Sequence, residues 1–310
     1  MNEEKEIIPI FFAIDDRYIP FMAVCLQSIT EHLSEDKLYE IKVLYTKVSK
    51  ENQEKIMKFE RDNFKIEFVD LNEQINEIKD KLYTRDYFSA ATYYRLFIPT
   101  LFMMYNKAIY IDSDTVLLDD IANLYSIDIK DNLIGGVTDG VINSIDLFKD
   151  YVEKVVGVSN WHNYFNAGVL LMNLEELRKI DFKNKFIYLL GGMKFPVAQD
   201  QDYLNRICKG RVQLIDSNWD AMPINKEMYK DESKIKLIHY NMADKPWHND
   251  NVVFEKYFWD YARKTEFIDE IKIIKENYTE EDKRNDIEMG KNLANLAKIE
   301  ADCVGDDRKK

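Results

Sequence analysis

Two aspartates one residue apart, in Tyr110-Ile111-Asp112-Ser113-Asp114, are the first place where this chain offers chemistry. Residues 108–112 read as a strand, so the carboxylates stand at its C-terminal end, where open α/β sheets bind ligands. Carboxylates this close repel unless a cation lies between them. Oxygen ligands suit Mn²⁺ or Mg²⁺, especially when a diphosphate adds further oxygens. A turn with helix-capping Asp residues would give the same letters, so other residues must decide. Far along the chain, 235–240 reads as a strand ending near His239, followed by Asn241-Met242-Ala243-Asp244-Lys245-Pro246-Trp247. Neutral imidazole is a metal ligand. Lys245 sits in a loop that Pro246 makes turn, and its ammonium can hold a phosphate as a point charge. Asn166 stands before the apolar run 168–173, placed either to reach hydroxyls or to make a turn. Gln199-Asp200-Gln201-Asp202 opens a helix to 208; one of these residues can cap it, which leaves the others to be explained.

The elements that must position these groups alternate. Residues 7–14 form a continuous apolar run, which suits a strand buried on both faces. Helical spacing follows at Phe21, Val24, Cys25, Ser28, Ile29 and His32. Strands are expected at 41–45, 64–71, 108–112, 134–137, 168–173, 212–215 and 235–240, and helices at 51–59, 174–190 and 200–208. This order predicts an α/β fold, a mostly parallel sheet flanked by helices. Residues 1–248 form the expected catalytic domain. From 249 the chain turns highly charged with helical periodicity, as at Phe267, Ile268, Ile271, Ile274 and Tyr278, and 249–310 is expected to be a helical extension.

Composition narrows the classes. The 310 residues are 46% hydrophobic and 13% aromatic with only 10 Gly, which describes a globular chain without long flexible linkers. A net charge of −13 argues against nucleic-acid partners. A metal and one local Lys can still reverse the field inside a cleft. Three widely spaced cysteines, Cys25, Cys208 and Cys303, form neither a disulfide framework nor a zinc knuckle. The acidic start Met1-Asn2-Glu3-Glu4-Lys5-Glu6 does not read as a signal peptide, and no run reaches the length of a membrane span. The expected location is cytoplasmic, with peripheral contact at the inner face of a membrane left open.

Together these motifs resemble glycosyltransferase family 8, the retaining galactosyl- and glucosyltransferases that include lipopolysaccharide galactosyltransferases and glycogenin. The resemblance covers roughly residues 7–248 in order and implies a nucleotide-sugar transferase fold of the GT-A type. It implies a Mn²⁺-dependent transfer of galactose or glucose from UDP-galactose or UDP-glucose to an acceptor saccharide or glycolipid, with retention. In Phe12-Ala13-Ile14-Asp15-Asp16-Arg17-Tyr18, it assigns Ala13 and Asp15 to the uracil edge and Tyr18 to stacking on the base. Asp112, Asp114 and His239 take the metal-ligand positions, Ser113 lies near the ribose, and Lys245 clamps the diphosphate. Arg95, Asp139 and Asn166 face the donor sugar, and Asp200 and Gln201 lie beside the reacting carbon. The chain departs from the family at Met242, where Gly is expected. Arg17 also stands where relatives often carry a smaller polar residue.

Three other readings compete. Asp112-Ser113-Asp114-Thr115-Val116-Leu117 also fits the first motif of haloacid-dehalogenase-type phosphatases, with Asp112 as nucleophile. That motif normally follows the first core strand, whereas here three strands precede it. A catalytically silent nucleotide-binding relative would account for Met242. A nucleotidyltransferase would need a Gly-rich N-terminal loop, and residues 7–30 contain no Gly.

Overall fold

The computed structural model describes residues 5–82, 90–224, 229 and 231–307. Among the described residues there are nine strands: β1 (Glu6–Ala13), β2 (Lys37–Tyr45), β3 (Phe64–Asp70), β4 (Lys107–Ile111), β5 (Thr115–Leu117), β6 (Ile134–Thr138), β7 (Phe165–Asn173), β8 (Val212–Leu214) and β9 (Leu237–His239). Seven form one sheet in the order β3-β2-β1-β4-β7-β6-β8. Its strands are parallel except β7, which runs antiparallel to both β4 and β6. The expected mostly parallel sheet is thus observed.

Alternation along the central strands divides the core into two layers. Ile8, Ile10 and Phe12 of β1, with Ile109 and Ile111 of β4, face the layer that holds helix α1 (Ile19–Thr30). Phe11, Ala108 and Tyr110 face the opposite layer. Both faces are covered, which explains why β1 reads as an unbroken apolar run.

Two irregularities build the site. The short antiparallel pair β5–β9 sets Thr115 opposite His239, and Tyr240 N–H donates to the Asp114 carbonyl at 2.9 Å. This pairing carries a histidine from late in the chain onto the Asp112–Asp114 turn. In β7 the alternation breaks: Phe165 and Ala167 face one layer, yet Val169 and Leu171 face the other. The register against β6 shifts at the same place, between Gly136 and Thr138. Such bulges redirect side chains and occur beside active sites. Asn205, on α2 (Asp200–Cys208), supplies the hydrogen bonds displaced from the ladder. Its carbonyl accepts from Phe165 N–H at 3.0 Å and its amide donates to the Phe165 carbonyl at 2.9 Å.

The structure corrects some expected bounds. The helix anticipated over 174–190 is two, Leu174–Lys179 and Phe182–Gly192. They are separated at Asp181, whose φ of 55° is left-handed, a conformation Asp tolerates better than most residues. Asn166 lies inside β7, not before it. β5 has no counterpart among the expected strands, its three residues following directly on the Asp112–Asp114 turn. The charged C-terminal segment is helical, as α3 (Glu255–Ala262), α4 (Ile268–Asn277) and α5 (Glu280–Asp307).

Replacing Asn205 by the similarly sized Leu strands one buried N–H and one buried C=O. Each such loss costs about 1–3 kcal/mol. Urea unfolding of N205L is expected to show a stability lowered by that order, read as a lower midpoint with an unchanged slope. A midpoint equal to wild type would mean the bulge finds other partners.

Candidate active site

The sequence-predicted residues meet in one cavity at the C-terminal end of β4. Its walls include Ala13, Asp15, Tyr18, Arg95, Asp112, Ser113, Asp114, Asp139, Asn166, Asp200, Gln201, His239 and Lys245. All thirteen candidates therefore face the same space.

At its centre stand Asp112, Asp114 and His239, each offering a ligand atom within 4.8 Å of the others. His239 Nε2 lies 3.3 Å from Asp114 Oδ1 and 3.9 Å from Asp112 Oδ2. The other ring nitrogen, Nδ1, is 2.9 Å from Asp220 Oδ1, and the Asp220 side chain is fully buried. A carboxylate on the far nitrogen of a ligating imidazole fixes its tautomer and orientation. Asp220 was not among the expected residues. It lies nineteen positions before His239, and no local pattern links the two.

The space around these atoms fits a cation. Gly168 passes so close that a Cβ there would overlap the His239 ring and lie 2.8 Å from Asp112 Oδ2. Backbone without a side chain is what leaves the three ligand atoms room to converge. The donor set of two carboxylates and one imidazole suits a divalent cation of the Mn²⁺ or Mg²⁺ kind. Burial works against charge on Asp114, but Lys245 and His239 outweigh it and hold its pKa well below the usual carboxylate range. Burial likewise disfavours His239 as a cation, yet Asp220 and Asp114 overcome it and raise its pKa to about 10. In the metal-free protein a proton thus occupies part of the place a cation would take.

Cationic groups flank the cluster. Lys245 Nζ donates to Asp114 Oδ2 at 2.5 Å and to the Tyr240 carbonyl at 2.7 Å. It also lies 6.0 Å from the centre of the Tyr18 ring. Arg95 comes from a 3₁₀ segment, Ala90–Phe97, rather than an α-helix. Its guanidinium lies over the Tyr110 ring, donates to the Ala167 carbonyl and pairs with Asp112 Oδ1 at 3.1 Å. Its Nε is 3.1 Å from Asp200 Oδ2. Burial pushes Asp200 up to about 6, with Arg95 pulling the other way. Asp200 does not cap its helix: the capping position is Gln199, which makes no side-chain cap bond.

The amides form a second network. Asp139 Oδ2 accepts from Asn166 Nδ2 and from Gln201 Nε2, each at 3.0 Å, while Oδ1 accepts from Ile142 N–H at 2.8 Å. Gln201 Oε1 accepts from Ala167 N–H at 2.8 Å, which fixes which end of the amide faces the bulge. Asp202 accepts from Tyr151 and Tyr164 hydroxyls and from Ala198 N–H at 2.7–2.8 Å. At the opposite end of the cavity, Asp15 caps the turn Asp16–Tyr18 through Arg17 N–H and pairs with the Arg17 guanidinium at 2.8 Å. Arg17 thus already engages the carboxylate that the resemblance assigns to the uracil edge.

The family model described as "Glycosyl transferase family 8" matches residues 9–251, most of the chain and all of the cavity's candidates. The chain belongs to glycosyltransferase family 8. A provisionally named glycosyltransferase of Haemophilus influenzae is 31% identical over 258 residues, 79% of this chain and 74% of that protein. The lipopolysaccharide 1,2-glucosyltransferase of Escherichia coli K12 is 23% identical, over 79% of this chain and 74% of its own length. Among solved structures, the bifunctional glycosyltransferase WbbM superposes with a TM-score of 0.77 at 26% identity, covering 89% of this chain. The chain spans about half (53%) of that longer protein. The galactosyltransferase LgtC, solved with donor and acceptor sugar analogues, gives 0.68 at 25% identity, covering 84% of this chain and 96% of LgtC. The fold is therefore that of GT-A glycosyltransferases, with a helical C-terminal segment. Among the described residues no helix is long and apolar enough to cross a membrane.

Two outcomes test the cation site of this family 8 glycosyltransferase. The raised pKa of His239 gives metal-free stability that is complete below about pH 6.5 and is lost as pH rises towards about 10. A cation must displace that proton, so Mn²⁺ affinity should rise by up to about tenfold per pH unit between pH 6.5 and 8.5. Thermal midpoints with graded Mn²⁺ across that range read this directly, and a pH-independent Mn²⁺ shift would exclude it. Independently, Gly168→Ala should weaken Mn²⁺ binding at least about tenfold, the scale of outer-sphere losses at metal sites, with the fold retained by circular dichroism.

Proposed function

We propose that this protein is a retaining hexosyltransferase that moves galactose or glucose from a UDP-sugar to a saccharide or glycolipid acceptor, with Mn²⁺ as its cofactor. The observation that carries this reading is the convergence of Asp112, Asp114 and His239 beside Lys245 in one cavity. A phosphatase using Asp112 as nucleophile leaves His239 and Lys245 without a role, and Asp112 Oδ1 is already engaged by Arg95 and Tyr110.

A divalent cation held by Asp112, Asp114 and His239 supplies Lewis-acid polarisation of the departing diphosphate oxygens. Lys245 places its ammonium where negative charge develops as the sugar–phosphate bond breaks. Tyr18 offers a ring face to the uracil, an interaction worth about 1–3 kcal/mol in single-strand binding proteins. Ala13, Asp15 and Ser113 border the nucleoside, and Arg95, Asp139 and Asn166 surround the sugar.

Retention requires a covalent intermediate or attack from the face the diphosphate leaves. Asp139 and Asp200 line the cavity at the proposed sugar end, and Asp202 is buried without lining it. Asp139 and Asp202 each accept three hydrogen bonds. Asp200 is buried against Arg95. A carboxylate so engaged is a weak nucleophile, which supports front-face attack. The acceptor oxygen then bonds the anomeric carbon as the diphosphate oxygen departs, and the acceptor proton passes to that departing oxygen. Gln201 keeps one carbonyl lone pair beyond the bond from Ala167, placed to stabilise an oxocarbenium-like transition state.

Thermal unfolding with UDP, with Mn²⁺, with both and with neither tests the donor site by mass action. A UDP shift enlarged by Mn²⁺ and absent in Asp114→Ala is expected. No shift with UDP under any condition would remove the main support. Gln201→Ala should lower turnover of the UDP-sugar about 10²-fold or more, the scale of losing one transition-state contact, while the UDP–Mn²⁺ shift persists.

A further inference from the structure

We propose that the C-terminal helix α5 forms one wall of the acceptor subsite, and that Leu293 selects acceptors with an apolar face or substituent beside the reacting hydroxyl. This rests on the hexosyltransferase reading above and adds to it the chemistry of the acceptor.

α5 is polar over most of its 28 residues. It docks through Leu293, Ala297 and Ala301, buried at successive spacings of four. They pack on the segment Leu147–Asp150 and the π-helical turn Tyr151–Val156. Leu293 goes further and lines the cavity that holds the Asp-Asp-His cluster. The stretch of α5 from Glu280 to Leu293 spans about 20 Å at the usual helical rise.

The chain leading into α5 is tied to the Lys245 loop through α4. Lys275 Nζ donates to the carbonyls of Pro246 and Asn249, each at 3.0 Å, and pairs with Asp250 at 2.8 Å. Between α4 and α5, the Tyr278 ring stacks on His248 with centres 4.0 Å apart and planes 5° from parallel. The segment thus spans from the proposed diphosphate clamp to the sugar end of the cavity.

The wall there is apolar. Val141, Ile142 and Phe148 follow Asp139 in sequence, and with Val197, Met242 and Leu293 they line the cavity. Their side chains bring no hydrogen-bonding oxygen or nitrogen, unlike the Asp15–Tyr18 end and the Asp139–Gln201 network. A surface of this kind recognises C–H faces or an apolar substituent and disfavours a fully hydrated polyol, whose hydroxyls would lose water without replacement.

The test uses the full-length protein, wild type, Leu293→Phe and Leu293→Ala. UDP release from UDP-galactose and UDP-glucose is followed while phenyl β-galactoside, phenyl β-glucoside and the free sugars are titrated. In wild type the phenyl glycosides are expected to alter UDP release with half-saturation at least fivefold below that of the free sugars. Leu293→Phe should raise that half-saturation at least fivefold, and Leu293→Ala should narrow the gap between phenyl glycosides and free sugars. The Mn²⁺-dependent UDP midpoint shift serves as the check that each variant is folded with its donor site intact. Phenyl glycosides indistinguishable from free sugars in wild type, or both variants matching wild type, would overturn the proposal. Absence of UDP release and of the UDP shift in wild type would instead sink the donor reading beneath it.

Discussion

Carboxylates brought together at the end of a buried strand repel one another, and the architecture around β4 is arranged to hold them there. Asp112, Asp114 and Asp220 all approach His239, and Asp139 and Asp200 line the cavity or its edge. Arg95 and Lys245 are each almost fully buried, as ions rarely are unless paired. Breaking such a pair by removing one partner costs several kcal/mol, because the remaining charge stays buried. The cations are therefore structural in the metal-free protein, and in the proposed reaction the same atoms would act electrostatically.

The geometry depends on two backbone devices more than on any side chain. The β5–β9 pair transfers His239 across more than a hundred positions of sequence onto the Asp112–Asp114 turn. The β7 bulge turns Asn166 towards Asp139 and brings bare backbone at Gly168 against the ligand atoms. Asp112 N–H donates to the Gly168 carbonyl at 2.7 Å, so the bulge and the Asp112–Asp114 turn are locked together. Displacing either would move both ligands and amides.

What was legible in the sequence follows from the range of the forces involved. β1 was readable because both of its faces are buried, and the Asp112–Asp114 pair because its chemistry is local to five residues. His239 and Lys245 were readable as a short loop with suitable side chains. Asp220, Asn205 and Gly168 were not. Each acts through a partner brought near by tertiary pairing, and nothing in their immediate neighbours distinguishes them from an ordinary buried Asp, a mid-helix Asn and a strand Gly. The break at Asp181 was hidden for a related reason: a single left-handed residue interrupts a helix without altering its apolar period. Leu293 sits in a stretch whose sequence reads only as a charged helical extension, and its place in the cavity emerges from the packing of α5.

Met242 belongs both to the Lys245 loop and to the apolar wall of the cavity. The family resemblance expects glycine there, and the backbone still adopts a conformation suited to glycine, with φ 58°. A non-glycine residue in that conformation costs on the order of 1 kcal/mol. The Met242 side chain is not thrown into solvent: it packs against the same apolar layer as Leu293 and lines the same cavity. The loop that presents Lys245 therefore keeps the backbone conformation a glycine would give it, while the side chain packs against that layer. The substitution changes the wall of the cavity and leaves the neighbouring charge in place. Lys245 retains its bonds to Asp114 and Tyr240, so under the proposed function the departure bears on the acceptor wall and leaves the proposed diphosphate clamp in place.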